Sequence, residues 1–436
     1  MSTTDPHPPE DPRSGAGRGP QGEADARRLG GVRPRPLVLT RQPAQAGALE
    51  TELAAAGLDV RFCPLTDFEL PGEPGPLRAV VSRVEAGACA WLVLTSPNTV
   101  RALQAAGWSG RVGGRTRVAV TGRGTARLLT ELGCAAEPWM PEQASAAGIL
   151  AGFPPAGDGD PHEAPASLVL LPQSALATGE LTTGLEAKGW HVARVEAYRT
   201  VPYPADPRRR LLPAPQEQEA TNAQAAGAIV VPVTALAGCD VVLTSPSAAR
   251  ELAMHPGLDD ERVRLTSRLI AIGQPTAAEA QRLGLELSAV AETPDYEGIL
   301  AALGRGLTLE EAARTAGTDG KYAEPGPLRD RLVGAILGST KTATAALLRD
   351  FEAEREPPPR PGDRERVLDS EGRVAAVVEV TGVVVVPLGE VPDWHAVAEG
   401  EGDADAQAWR ASHEEFWGGP LPDDTEVVLI HLARIA

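Results

Sequence analysis

The sequence predicts an α/β protein: two similar parallel-sheet domains of the Rossmann or flavodoxin type, joined by a two-stranded connection, then a smaller α+β or barrel module. Three observations lead there. Short apolar runs (PLVLT, WLVLT, RVAVT, SLVLL, DVVLT, RLIAI) alternate with helix-forming stretches, the mark of parallel strands buried on both faces. One series of motifs occurs twice, about 150 residues apart, far too long a period for a solenoid. After about residue 304 the alternation stops and strand-like runs dominate.

Residues 1–31 are dense in Pro, Gly and charge and read as a disordered tail. Leu37 opens the first strand, which leads to Arg41 and a helix ending at Gly57. LVLTSPNTVRAL (92–103) matches VVLTSPSAAREL (241–252), VAVTGRGTARLLTELG (118–133) matches IAIGQPTAAEAQRLG (270–284), and PEQASAAGILAGF (141–153) matches TPDYEGILAAL (293–303). VRFCPLTDFEL (60–70) and HVARVEAYRTVPY (191–203) are strand-like, without an obvious helix after either, and read as crossovers between the halves. One domain is therefore expected from 32–62 with 200–303, the other from 63–199. Polar insertions or loops are expected at 154–166 and 204–226, and a linker at 304–321. From 322 to the end, a helix at 327–337, long strands at 373–388 and near 426–435, and a Trp-containing helix form the third module.

Composition closes off several function classes. Formal net charge is −18, unlike a nucleic-acid coat or a basic membrane-surface protein. No apolar run approaches the roughly 20 residues of a membrane span, and the start lacks a basic-then-apolar leader, so a cytoplasmic location is expected. Cys63, Cys89, Cys134 and Cys239 are scattered without a CxxC pair, and the seven histidines form no HxxxH pair; metal and redox chemistry are not expected. Among 41 basic residues only Lys188, Lys321 and Lys341 are lysine. An arginine-using chain that keeps a lysine points to an amine whose pKa can be moved.

The repeated turns carry the chemistry. TSPN and TSPS sit where a buried strand passes into a helix, and GRGT and GQPT repeat this one unit later. Helix N-termini offer unpaired N–H groups and a positive dipole end, and open α/β sheets bind ligands at the carboxyl ends of their strands. Two facing halves would line a cleft with anion-ready turns, suited to a polycarboxylate. A dinucleotide site is disfavoured, because LTRQPAQAGAL after the first strand lacks GxGxxG and no GxxxxGK[ST] loop occurs.

These paired TSP[NS] turns, VTGRGTA, IGQPTA and VEAYRTVP resemble the uroporphyrinogen-III synthase family over roughly 32–303. The resemblance implies cyclisation of hydroxymethylbilane, a linear tetrapyrrole with eight carboxylates, with inversion of ring D and without metal or cofactor. It implies Tyr198 as proton donor to the departing hydroxyl. Thr95, Ser96, Asn98, Gly122, Thr125, Thr244, Ser245, Ser247, Gly273 and Thr276 become carboxylate-binding residues, largely through backbone N–H, and Arg41 a direct ion pair. It also implies a monomer taking substrate from hydroxymethylbilane synthase, with no membrane or nucleic-acid partner for this part. LPQSALATG follows the strand at 168–171 where family members often carry arginine or glycine, and the 204–226 insertion is longer than the family pattern.

The last module resembles the ASCH family, a PUA-like barrel, through PGPLRDRLV, GSTKTATAAL, LDSEGR, VVEVT, AEGEGD and WRASHEEFW. That family is linked to RNA-related binding, and small members hydrolyse acetylated cytidine with a lysine, a threonine and a glutamate. These fall on Lys341, Thr344 and Glu401; the small enzymes' arginine two positions beyond the threonine is Ala346 here. Residues 322–436 carry 11 Lys/Arg against 22 Asp/Glu, which disfavours gripping a nucleic-acid backbone. Amide hydrolysis, small-ligand or modified-nucleoside binding, and a structural appendage all remain open for it. The alternative for the whole chain is a nucleoside-related or RNA-binding protein on a degenerate synthase scaffold.

Overall fold

The apolar runs form strands buried on both faces, because each is flanked by helices that bring their own apolar stripe. The computed structural model describes residues 35–114, 116–157, 167–212, 228–320 and 322–436. The expected tail at 1–31, and most of the polar segments at 154–166 and 204–226, lie outside the described residues.

The chain lays β1 (Leu37–Leu39) beside β2 (Val60–Phe62), then leaves for a second sheet. That sheet contains β3 (Thr66–Glu69), β4 (Trp91–Leu94), β5 (Arg117–Val120), β6 (Leu168–Ser174) and β7 (His191–Pro202). It returns to the first sheet with β8 (Ile229–Val230), β9 (Asp240–Leu243), β10 (Arg268–Ala271) and β11 (Ala289–Val290). The first sheet runs β11-β10-β9-β1-β2-β8, parallel throughout. The second runs β3-β7-β6-β4-β5, parallel except for the β3–β7 pair.

The internal repeat is visible in three dimensions. β4 and its helix Pro97–Ala105 correspond to β9 and Pro246–Ala253; β5 and Arg123–Glu131 correspond to β10 and Gln274–Arg282. The repeated GIL tripeptides begin helical turns at Gly148 and Gly298, where a Cβ would collide with the carbonyl oxygens of Gln143 and Thr293 respectively. Both halves thus need glycine at the same point for one steric reason.

Three expectations change. VRFCPLTDFEL is two strands: Pro64, which has no N–H to give to a ladder, separates parallel β2 from β3, which pairs antiparallel with the end of β7. A helix does follow β3: Gly75–Glu85 buries Leu77, Val80, Val81 and Val84, an i, i+3, i+4, i+7 stripe. The expected linker 304–321 is ordered in its described part. Helix Leu309–Thr315 starts with a Thr308–Glu311 capping box and packs Ala312 with Val377. β12 (Thr318–Gly320) then forms the parallel edge of the third sheet.

That sheet continues with β13 (Ala343–Leu347), β14 (Arg364–Leu368), β15 (Val374–Pro387) and β16 (Glu426–Arg434), in the order β12-β14-β15-β16-β13, otherwise antiparallel. The 14-residue β15 pairs with β14 along its first part and with β16 along most of its length, shifting register between Val380 and Gly382. Helix Pro327–Leu337 covers one face through Leu332, Val333 and Ile336.

Candidate active site

All the expected turn residues follow the carboxyl ends of strands. In the second sheet, Ser96 is the N-cap of Pro97–Ala105 and its Oγ accepts from the Asn98 N–H at 3.1 Å. In the first, Ser245 caps Pro246–Ala253, accepting from the Ala248 N–H at 3.1 Å. Pro at the first helical position costs no hydrogen bond in either. Gly122 and Gly273 are extended N-caps with no side-chain cap. The N–H groups of Arg123 and Gly124 in one helix, and of Gln274 in the other, therefore face no competing cap hydroxyl.

Tyr198 comes next to this apparatus from β7. It is 8% exposed, lies edge-on to Phe68, and its hydroxyl donates to Ser96 Oγ at 3.3 Å. Burial raises the phenol above its ordinary pKa, against a smaller downward pull from hydrogen bonding with Ser96 and Ser174. It is therefore a neutral O–H donor at neutral pH.

Several expected contacts are otherwise engaged. Arg41 pairs with buried Glu50 from the following helix, so it is no free ion-pair donor; its buried Nε has no hydrogen-bond partner. The Asn98 side chain accepts from Arg101 at 2.9 Å. Thr125 and Thr276 are buried, and their N–H groups already donate to Gly122 and Gly273 carbonyls at 3.1 Å. In each case local helix geometry satisfies the group before a ligand can. Thr244 takes a different role: Thr40 Oγ1 receives its N–H at 3.0 Å and lies 3.3 Å from its hydroxyl. Thr95 and Ser247 are half-buried; the Thr95 carbonyl accepts from Thr121 at 3.0 Å.

No hydrogen bond or ion pair among the described residues joins the turns of one sheet to those of the other. The sheets are tied instead at Asp67, which sequence reasoning missed. This fully buried carboxylate accepts from Gln42 Nε2 (2.7 Å), the Phe68 N–H (2.8 Å) and the Ala205 N–H (2.9 Å), and pairs with Arg210 (3.0 Å). The loop after β1, strand β3 and the segment after β7 thus meet on one side chain. A lone Asp inside a strand-like apolar run was the available signal, since buried charges are almost always paired.

The third module holds a denser cluster. Lys341, 3% exposed, places Nζ 2.7 Å from Glu401 Oε1 and 3.0 Å from Glu399 Oε2. A Cβ at Gly400 (φ +65°) would strike the Thr340 backbone, so glycine lets both flanking carboxylates reach one amine. Glu399 Oε1 also receives Trp409 Nε1 at 3.0 Å and His395 Nε2 at 3.1 Å. Burial pushes the Glu399 carboxyl up, but the His395 hydrogen bond and the Lys341 charge outweigh it and hold the group at about 2. Since a carboxylate only accepts, His395 Nε2 carries a proton; its Nδ1 lies 3.2 Å from His431 Nε2, one ring nitrogen donating to the other. That leaves His431 Nδ1 buried and unpartnered, and burial, with His395 beside it, pushes His431 down to about 3. Thr344 stands half-buried on β13 opposite Ile430. Lys341, Thr344 and Glu401 were legible from the motif; Glu399, His395, Trp409 and His431 come together only on folding.

Among the described residues no helix is long and apolar enough to cross a membrane, and no group of His, Cys, Asp or Glu is placed to hold a metal.

Comparison with known proteins covers both parts. The family model described as uroporphyrinogen-III synthase HemD matches residues 47–301, more than half of the chain, and the ASCH domain model matches 322–433. A uroporphyrinogen-III synthase, chloroplastic, from Oryza sativa subsp. japonica is 27% identical over 214 residues, covering 48% of this chain and 60% of that protein. The chain thus spans about three fifths of that relative's length. Among solved structures, a mutant uroporphyrinogen III synthase of Thermus thermophilus shares 16% identity (TM-score 0.37), covering 62% of this chain and 99% of its own. An ASCH domain from Lactobacillus crispatus shares 22% (TM-score 0.27), covering 31% and 91%. The chain belongs to the uroporphyrinogen-III synthase HemD family and carries an ASCH domain after it.

Proposed function

We propose that the two parallel-sheet halves, 32–62 with 200–303 and 63–199, cyclise hydroxymethylbilane with inversion of ring D. The observation that carries this reading is the Tyr198–Ser96 contact, which sets a buried neutral phenol at the N-terminus of one of the repeated helices. Tyr198 transfers its phenolic proton to the terminal hydroxyl, which departs as water and leaves a cation stabilised by the pyrrole; the phenolate recovers the proton released when the ring closes. The ring then closes through a spiro intermediate. The Gly122 and Gly273 turns, with the Ser96 and Ser245 helices, hold side-chain carboxylates on N–H groups and dipole ends. Their task is geometric: unaided closure gives the uninverted isomer, so the protein must favour one fold of a flexible chain. The reading includes a cytoplasmic monomer fed by hydroxymethylbilane synthase.

The test is to add hydroxymethylbilane to purified protein and separate the uroporphyrinogen isomers by chromatography. The inverted isomer is expected. Tyr198→Phe should slow turnover about 100-fold, the lower end of a general-acid contribution. Formation of only the uninverted isomer, or full activity in Tyr198→Phe, refutes the assignment.

A second reading concerns the ASCH domain. The 2.7 Å Lys341–Glu401 contact, with Glu401 partly open to solvent, supports amide hydrolysis or binding of a modified nucleoside. Release of cytidine from N4-acetylcytidine, lost in Glu401→Gln, distinguishes hydrolysis from binding.

A further inference from the structure

The amino-terminal edge of the first sheet, opposite the turns just described, is not a free edge. Asp240 and Arg268 are the first residues of β9 and β10. Both are essentially fully buried, and the residue that faces them, Glu379 on β15, is buried as well. Arg268 reaches Glu379 Oε1 at 2.7 Å and Asp240 Oδ1 at 3.3 Å. Asp240 also takes Arg35 at 3.0 Å and Arg305 at 3.2 Å, while Arg364 closes on the other oxygen of Glu379 at 2.9 Å. The two carboxylates are thus shared among four guanidinium groups drawn from both modules.

Backbone contact accompanies the charges. Thr381 Oγ1 donates to the Leu265 carbonyl at 2.8 Å, inside the register shift of β15. A Cβ on Gly382 would stand 2.5 Å from Leu265 Cα, so the strand lies against the helix Glu261–Thr266 that precedes β10, with no room for a side chain. Ile435, near the chain end, packs 3.5 Å from the position a Gly304 Cβ would take. A charge kept buried after its partner is removed is strongly unfavourable, so truncating Arg268 or Glu379 strains the seam from either side.

We propose that this edge is an interaction surface whose partner is β15 of the chain's own ASCH domain, making the ASCH domain and the first sheet one mechanical body. The second sheet is the other body, joined to the first through the Asp67 contacts. The ASCH domain then acts as a brace on the side of the first sheet away from the helix N-termini, whatever ligand its own Lys341 cluster takes.

Hydrogen–deuterium exchange of the full chain, read by peptide mass spectrometry, tests this without using either activity. Arg268→Met is made in the first sheet and read in β14 and β15; Glu379→Gln is made in the ASCH domain and read in β9 and β10. Each is expected to accelerate exchange at least tenfold on the far side, with β4–β6 unchanged. Thr381→Val, which removes only the hydroxyl bond to Leu265, serves if either variant unfolds as a whole, and should give a smaller acceleration on both sides. Acceleration confined to the module carrying the substitution overturns the proposal, as does no change with Thr381→Val.

Discussion

Acid sensitivity of the ASCH domain follows from a single imidazole. His431 titrates at an ordinary 6.5 in the unfolded chain and is pushed down to about 3 by burial and by His395. A depressed base contributes its stabilisation in full above 6.5, where it is neutral in both states. The contribution falls as pH drops from 6.5 towards 3, because only the unfolded chain takes up the proton. At pH 5 the unfolded form gains about 1.5 pH units of protonation that the folded form refuses, or about 2 kcal/mol at 1.36 kcal/mol per unit. Glu399, held at about 2, keeps its stabilisation above its unfolded 4.5 and loses it below that, so a comparison of pH 7 with pH 5 reads His431 rather than Glu399. The assay is urea unfolding at pH 7 and pH 5, followed by amide exchange in β16, for the natural protein and His431→Gln. The natural protein should lose about 2 kcal/mol between the two pH values and the variant much less. An equal loss in both would overturn this assignment to His431.

Neighbouring geometry sets two more expectations. Lys341→Met leaves Glu399 buried without its cation and should destabilise the ASCH domain by about 3–5 kcal/mol, measured by urea midpoint, whereas Glu401→Gln, at the open side of the cluster, should cost far less. Ser245→Ala removes the N-cap of Pro246–Ala253 and should cost about 1 kcal/mol by thermal unfolding; Ser247→Ala, which caps nothing, should leave the midpoint unmoved.

Much of the architecture is written in local patterns. Continuous apolar runs between amphipathic stretches mark buried parallel strands, since burial on both faces removes the alternation that a half-exposed strand needs. The repeat of TSP and GIL shows up in sequence because each motif answers a local requirement, a capped helix start or a glycine under a carbonyl. The helix Gly75–Glu85 carries a local stripe at Leu77, Val80, Val81 and Val84 as well, although no helix was expected after that segment. β2 and β3 read as one segment because strand-like residues continue on both sides of Pro64; in the fold the proline parts two strands that pair in different sheets.

The expected site fared differently from the fold. Tyr198 and Ser96, 102 positions apart, meet as hydrogen-bond partners, and Lys341 meets Glu401. Arg41 and Asn98 instead meet Glu50 and Arg101. A motif tells which residue types stand at a strand end; it does not tell which of them a neighbouring helix has already satisfied.

By itself the chain determined most of the strands and helices of the two halves, that the halves share one design, and which turns join a strand end to a helix start. Those properties depend on residues a few positions apart. Tertiary structure alone decided that Asp67 joins three segments, that Glu399 and His395 line up behind Lys341, and that Arg268 finds Glu379 across the seam. Each is a buried polar group whose cost is met only by partners up to 138 residues away. Desolvation makes such pairing compulsory, yet nothing local in the sequence says which partner will be near.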